Sequence, residues 1–132
     1  MSHKRAVGAA AGLAAVLCAS TLSAAGTAQA RGGSGVRVAG SCAVGSGVWT
    51  LKAKADDGRL EIEFEVDTNH AGQRWHVRIT DNTHLVTDRY ATTQAPSGSF
   101  TVHARPANRA GTDVIRARAT RGDRVCSGTV RF

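Results

Sequence analysis

Apolar and polar residues alternate most cleanly between Trp49 and Asp67. Trp49, Leu51, Ala53 and Ala55 fall on one side of a first run, and Leu60, Ile62, Phe64 and Val66 on one side of a second. Glu61, Glu63, Glu65 and Asp67 fall on the opposite side of the second run. A period of two belongs to strands with one buried and one wet face. A two-residue turn at Asp57-Gly58 folds the runs into a hairpin that pairs Trp49 with Val66, Leu51 with Phe64 and Ala53 with Ile62. The same register sets Lys52 opposite Glu63 and Lys54 opposite Glu61. A slip of one residue would set apolar side chains against charges, so the pattern selects its own register.

The rest of the chain repeats this style. Val36 to Ala43 reads as a first strand, and Gly45-Ser46-Gly47 turns it toward the hairpin. Arg74 to Thr80 places Trp75, Val77 and Ile79 inward, with His76 and Arg78 outward. Asp81-Asn82-Thr83 leads into a strand over His84–Thr92, where a two-residue turn buries Val86 and Tyr90 and sets Tyr90 opposite Trp75. A three-residue turn would bury Leu85 instead. Phe100, Val102 and Ala104 face inward from the next strand. A last hairpin joins Asp113–Thr120 to Arg124–Phe132 through Gly122-Asp123, with Gly first as a type II′ turn requires. Its register pairs Ala119 with Cys126, Ala117 with Gly128 and Ile115 with Val130. Seven or eight short strands and no helical period predict an all-β fold, a two-layer antiparallel sandwich of immunoglobulin-like style, with a small barrel as the alternative.

The N-terminal composition changes the picture of what folds. Lys4 and Arg5 precede the apolar run Ala6–Leu17, and Ala28-Gln29-Ala30 supplies small residues for a cleavage site. Residues 1–30 are therefore expected to be a cleaved secretory signal peptide, 31–35 a flexible leader, and 36–132 the domain. Leu17 before Cys18 does not suit a lipid-attachment site, and the apolar run is too short to span a membrane. Secretion, with association to the cell envelope as a further possibility, is the expected localisation. Cys42 and Cys126 then remain as an even pair in an oxidising compartment, each in phase with a core face, and a disulfide between them is expected. Closing a loop of 84 residues stabilises by up to about 4–5 kcal/mol on the chain-entropy account.

The segments VRVAGSC (36–42), LKAKADDGRLEIEFEVD (51–67), GQRWHVRITDN (72–82) and APSGSF (95–100) resemble a group of small exported proteins of high-GC Gram-positive bacteria. The resemblance extends over nearly all of residues 36–132 and implies a secreted β domain, with no activity, ligand or site attached. In architecture the strand pattern also resembles immunoglobulin and fibronectin type III sandwiches, although the cysteines lie on the first and last strands.

Charge divides the domain into unequal parts. Residues 31–102 carry 8 basic and 8 acidic groups, whereas residues 103–132 carry 7 arginines against Asp113 and Asp123. Arg116, Arg118 and Arg131 point outward from the last hairpin, Arg121 and Arg124 flank its turn, and Arg105 and Arg109 approach from the preceding strand and loop. Such a basic surface suits an anionic envelope polymer or an acidic protein. A solubilising charged face explains the same residues and is the reading that the sequence alone favours.

Other chemistry finds little support. The carboxylates 61, 63, 65 and 67 are about 7 Å apart along a strand and do not converge on one ion. They are expected to pair with Lys52 and Lys54, with Arg78 on their other side. His70, His76, His84 and His103 lack metal-ligand spacing, although His76 and His84 could meet across their hairpin. No nucleophile elbow occurs, and Arg121-Gly122-Asp123, which spells the integrin-binding tripeptide, is explained by its turn. Trp49, Trp75, Phe64, Phe100 and Phe132 are all in phase with the core, which leaves no evident stacking platform for sugars or for nucleic-acid bases. The expectation is a secreted, monomeric, non-enzymatic binding module without cofactor, metal, transmembrane segment or sequence-specific nucleic-acid partner. The alternative is a small-molecule carrier or protease inhibitor using the loops 67–72 and 106–111.

Overall fold

The computed structural model describes residues 35–132, so the expected signal peptide, with Cys18, and leader positions 31–34 lie outside the described residues. Eight strands form two antiparallel four-stranded sheets. They are β1 (Val36–Ser41), β2 (Val48–Asp56), β3 (Arg59–Asp67), β4 (Arg74–Asp81), β5 (His84–Thr92), β6 (Ser99–Ala104), β7 (Val114–Arg121) and β8 (Arg124–Arg131). The first sheet runs β1-β2-β3-β6 and the second β5-β4-β7-β8. With β1 set aside, β2, β3 and β6 take the places of strands A, B and E of an immunoglobulin sandwich, and β4, β7 and β8 those of C, F and G. The first strand ends two residues earlier than the sequence suggests, because Ala43–Gly45 closes into a single 3-10 turn. Among the described residues no helix is long and apolar enough to cross a membrane.

The alternating runs determine the core. Leu51, Leu60, Ile62, Phe64 and Val66 from the first sheet meet Trp75, Val77, Ile79, Ile115 and Ala119 from the second, all at 2% exposure or less. The expected β2–β3 and β7–β8 registers are present pair for pair. Asp57 and Gly58 both have positive φ, 50° and 71°, as a type I′ hairpin turn needs. Gly122 alone is positive in the last turn, in keeping with type II′.

Cys42 and Cys126 form the disulfide, with Cα atoms 4.3 Å apart. Cys42 lies just past β1 and Cys126 on β8, so the bond joins edge strands of the two sheets. Beside it the Trp49 indole lies between Gly40 and Gly128, whose missing Cβ atoms would overlap the ring. Only glycine lets both edge strands close over that tryptophan.

Strand β5 departs from expectation. Its turn does have two residues, with Asp81 paired to His84 and Thr80 to Leu85. A bulge then leaves Val86 without a partner, so Ile79 pairs with Thr87 and every later pair moves by one. Trp75 therefore faces Ala91, not Tyr90, and Tyr90 pairs with His76 on the outer face, 58% exposed. The bulge keeps Val86 against the core while turning the remainder of the strand over.

Candidate functional site

Both sheets expose a charged outer face, and the two faces differ in how their charges are met. On the first sheet, Lys52 Nζ reaches Glu63 Oε1 at 2.8 Å and Lys54 Nζ reaches Glu61 Oε2 at 2.7 Å. These hydrogen bonds hold the Glu61 and Glu63 carboxyls below their ordinary value and Lys54 above its own. Arg105 Nη2 caps the row on Asp56 Oδ2 at 3.0 Å, with Glu61 Oε1 at 3.8 Å. Glu63 is flanked on its other side by His103 of β6, not by Arg78, which lies in the second sheet. Glu61 and Glu63 are thus met by cross-strand lysines, whereas Glu65 and Asp67 of the same row make no ion pair among the described residues, and pairs as exposed as these contribute little to stability.

The second sheet is built otherwise. Pairing of β4 with β7 brings together residues some forty positions apart: Arg78 lies directly opposite Arg118, and Thr80 opposite Arg116. Arg131 of β8 and Arg74 of β4 point outward from the same sheet. These five arginines are exposed, and none makes an ion pair among the described residues. The carboxylate on this face is Asp88. It is the ladder partner of Arg78, yet it turns to His76 Nε2 at 2.5 Å. Like charges set directly across a sheet destabilise it by a fraction of a kcal/mol, roughly 0.2–1 kcal/mol. The first sheet also sets two cations opposite each other, Arg37 and Lys52, but there Lys52 is met by Glu63, whereas neither Arg78 nor Arg118 is met by a carboxylate among the described residues.

The β5 bulge adds an aromatic group to this surface. The Arg74 guanidinium lies 3.9 Å from the Tyr90 ring centroid, and the His76 ring lies 5.1 Å from it. The absence of an exposed aromatic expected from the sequence is thus overturned by Tyr90. His76 and His84 do not pair across their hairpin, since His84 faces Asp81. Among the described residues no three His, Cys, Asp or Glu gather as a metal ion would require.

The seven C-terminal arginines do not form one surface. Arg116, Arg118 and Arg131 share the outer face, as expected from their phase. Arg121 and Arg124 pair with each other in the phase of Ala119 and Cys126, so they turn to the core side at the end of the sandwich, half-buried. Arg105 belongs with the first sheet and its carboxylates, and Arg109 lies in the loop after β6, beside the β2–β3 turn and at the opposite end from Arg121 and Arg124. The residues that complete the face, Arg74, Arg78 and Tyr90, were not grouped with it by sequence position. Only the β4–β7 pairing reveals them, although the outward phase of Arg78 was visible. No known family model, curated protein or solved structure matches the chain.

Proposed function

We propose that the chain is a secreted, non-enzymatic binding module that holds an anionic polymer of the cell envelope on the outer face of its second sheet. The observation that carries this reading is the gathering of five exposed arginines on one face, with Arg78 directly opposite Arg118 and no ion pair to any of the five among the described residues, whereas Lys52, Lys54 and Arg105 on the other sheet are met by carboxylates. Arg74, Arg116 and Arg131 extend the cationic surface, and a polyanion laid across them would relieve the repulsion that the free protein bears. An acidic protein partner uses the same chemistry. The carrier alternative draws less support, because the space between the sheets holds Trp75, Phe64, Leu51 and Leu60 at full burial. The loops 67–72 and 106–111 follow β3 and β6 at opposite ends of the sandwich, so they do not combine into one inhibitory surface.

Isolated bacterial cell walls provide the test. The protein is expected to sediment with walls at low salt and to be released as ionic strength shortens the Debye length from about 10 Å toward 3 Å. Replacement of Arg78, Arg116, Arg118 and Arg131 by Ser is expected to abolish retention. Retention that survives those replacements would overturn the assignment to this face.

A further inference from the structure

The arginine face carries groups that a ligand made only of acids would leave unused. Tyr90 stands at its β5 edge, 58% exposed, in the same outward phase as Asp88. The bulge at Val86 sets that phase; in an unbulged register Tyr90 would lie opposite Trp75 and turn to the core. No other Phe, Tyr or Trp is exposed among the described residues.

Neighbours hold this ring in place before any ligand arrives. The Arg74 guanidinium lies over it, 3.9 Å from the centroid, and the His76 ring is 5.1 Å away, tilted by 38°. His76 Nε2 in turn meets Asp88 Oδ1 at 2.5 Å. More than half of the Tyr90 surface stays open with these contacts made. Asp88 is the ladder partner of Arg78, yet it makes no ion pair with any arginine among the described residues. A run of acid groups laid over Tyr90 would meet the Asp88 carboxylate as a like charge. A ligand that also carries hydroxyl groups would donate to that carboxylate while its acids met the arginines.

We infer that the anionic polymer is an acidic glycan, with one sugar ring packed on Tyr90, its hydroxyl groups on Asp88, and the acid groups of neighbouring rings on Arg78 and Arg118. The inference rests on the reading of this face as a polyanion surface and names the class of polymer. The C–H groups on a sugar's ring face suit the electron-rich face of an aromatic ring. Tyr90 and Arg118 stand two strands apart, about 10 Å, so a chain of a few sugars covers both. Single-stranded nucleic acid also joins anionic groups to stackable rings, but its binding faces offer aromatics to successive bases, and this face offers one.

Hexagalacturonate, an acetylated hexaglutamate carboxamide and hexathymidylate, ligands of comparable charge, test the inference in amide chemical-shift titrations of the whole protein at low salt. Hexagalacturonate is expected to bind roughly three- to tenfold more tightly than hexaglutamate. Tyr90→Ser should remove that preference, and the Arg78→Ser, Arg118→Ser variant should weaken both ligands. Chemical shifts of the unliganded variants report that the fold is kept. Equal or weaker binding of hexagalacturonate, a preference that survives in Tyr90→Ser, or tighter binding of hexathymidylate would overturn the glycan assignment and leave the polyanion reading standing. Failure of all three ligands to bind, or no loss in the arginine variant, would overturn that reading and this inference with it.

Discussion

At the scale of the residue, the most informative positions are those whose chemistry conflicts with their surroundings. Asp81 and Asp113 are inward-facing carboxyls at the end of the second sheet, 1% and 3% exposed. Burial, followed by the charge of Asp81 and a hydrogen bond to it, holds the Asp113 carboxyl above its ordinary value. A folded pKa above the unfolded one contributes stability that is complete below the ordinary carboxylate range and is lost as pH rises through the raised value. Asp113→Asn removes that titration and retains a hydrogen-bond donor toward Asp81. Denaturant midpoints measured from mild acid to neutral pH should fall less steeply for the variant, and at neutral pH the variant should be the more stable. Parallel profiles would show that Asp113 titrates normally. Glu61 and Glu63 act in the opposite sense, since their lowered values give stability lost on acidification, and their exposure keeps that contribution small.

At the scale of the element, hairpins joined by short turns were legible and the bulged one was not. The β2–β3 register follows from strict alternation with charge matching, and β7–β8 from its Gly-first turn; both are local in sequence. In β5 the segment His84–Thr92 offers two interleaved apolar sets, Leu85 with Ala91 and Val86 with Tyr90, and no period decides between them. The chain uses a bulge at Val86 to place Val86 and Ala91 against the core while Leu85 and Tyr90 stay exposed. Tyr90→Ser tests this directly by equilibrium unfolding. An exposed tyrosine predicts a change within about 0.5 kcal/mol, whereas a tyrosine packed on Trp75 would cost about 3–5 kcal/mol. The candidate site was half legible for the same reason. Phase along β7 and β8 identified Arg116, Arg118 and Arg131, but the neighbours Arg78 and Arg74 reach that face through a pairing between strands some forty residues apart, which no local pattern encodes.

At the scale of the whole molecule, two devices hold the layers in place: a core shared by both sheets, and a covalent link between the edge strands β1 and β8. The link closes a loop of 84 residues, and a Cys42→Ala, Cys126→Ala double variant is expected to lose up to about 4–5 kcal/mol of unfolding free energy. A loss below about 1 kcal/mol would mean that the core alone fixes the layers. The two outer faces carry their charges differently on this scaffold. One mixes both signs and pairs Lys52 and Lys54 with Glu63 and Glu61, and the other gathers five arginines that make no ion pair among the described residues.

Affinity for a defined polyanion, poly-glutamate, titrated against the wild type, an Arg78→Ser, Arg118→Ser variant and a Lys52→Ser, Lys54→Ser variant, tests that division most directly. Each arginine near an anionic surface contributes about 1 kcal/mol, so the arginine variant should bind roughly thirtyfold more weakly. The lysine variant, whose lysines already serve Glu61 and Glu63, should bind almost as the wild type does. Equal losses in both variants, or no loss in the arginine variant, would contradict the assignment of binding to the second sheet.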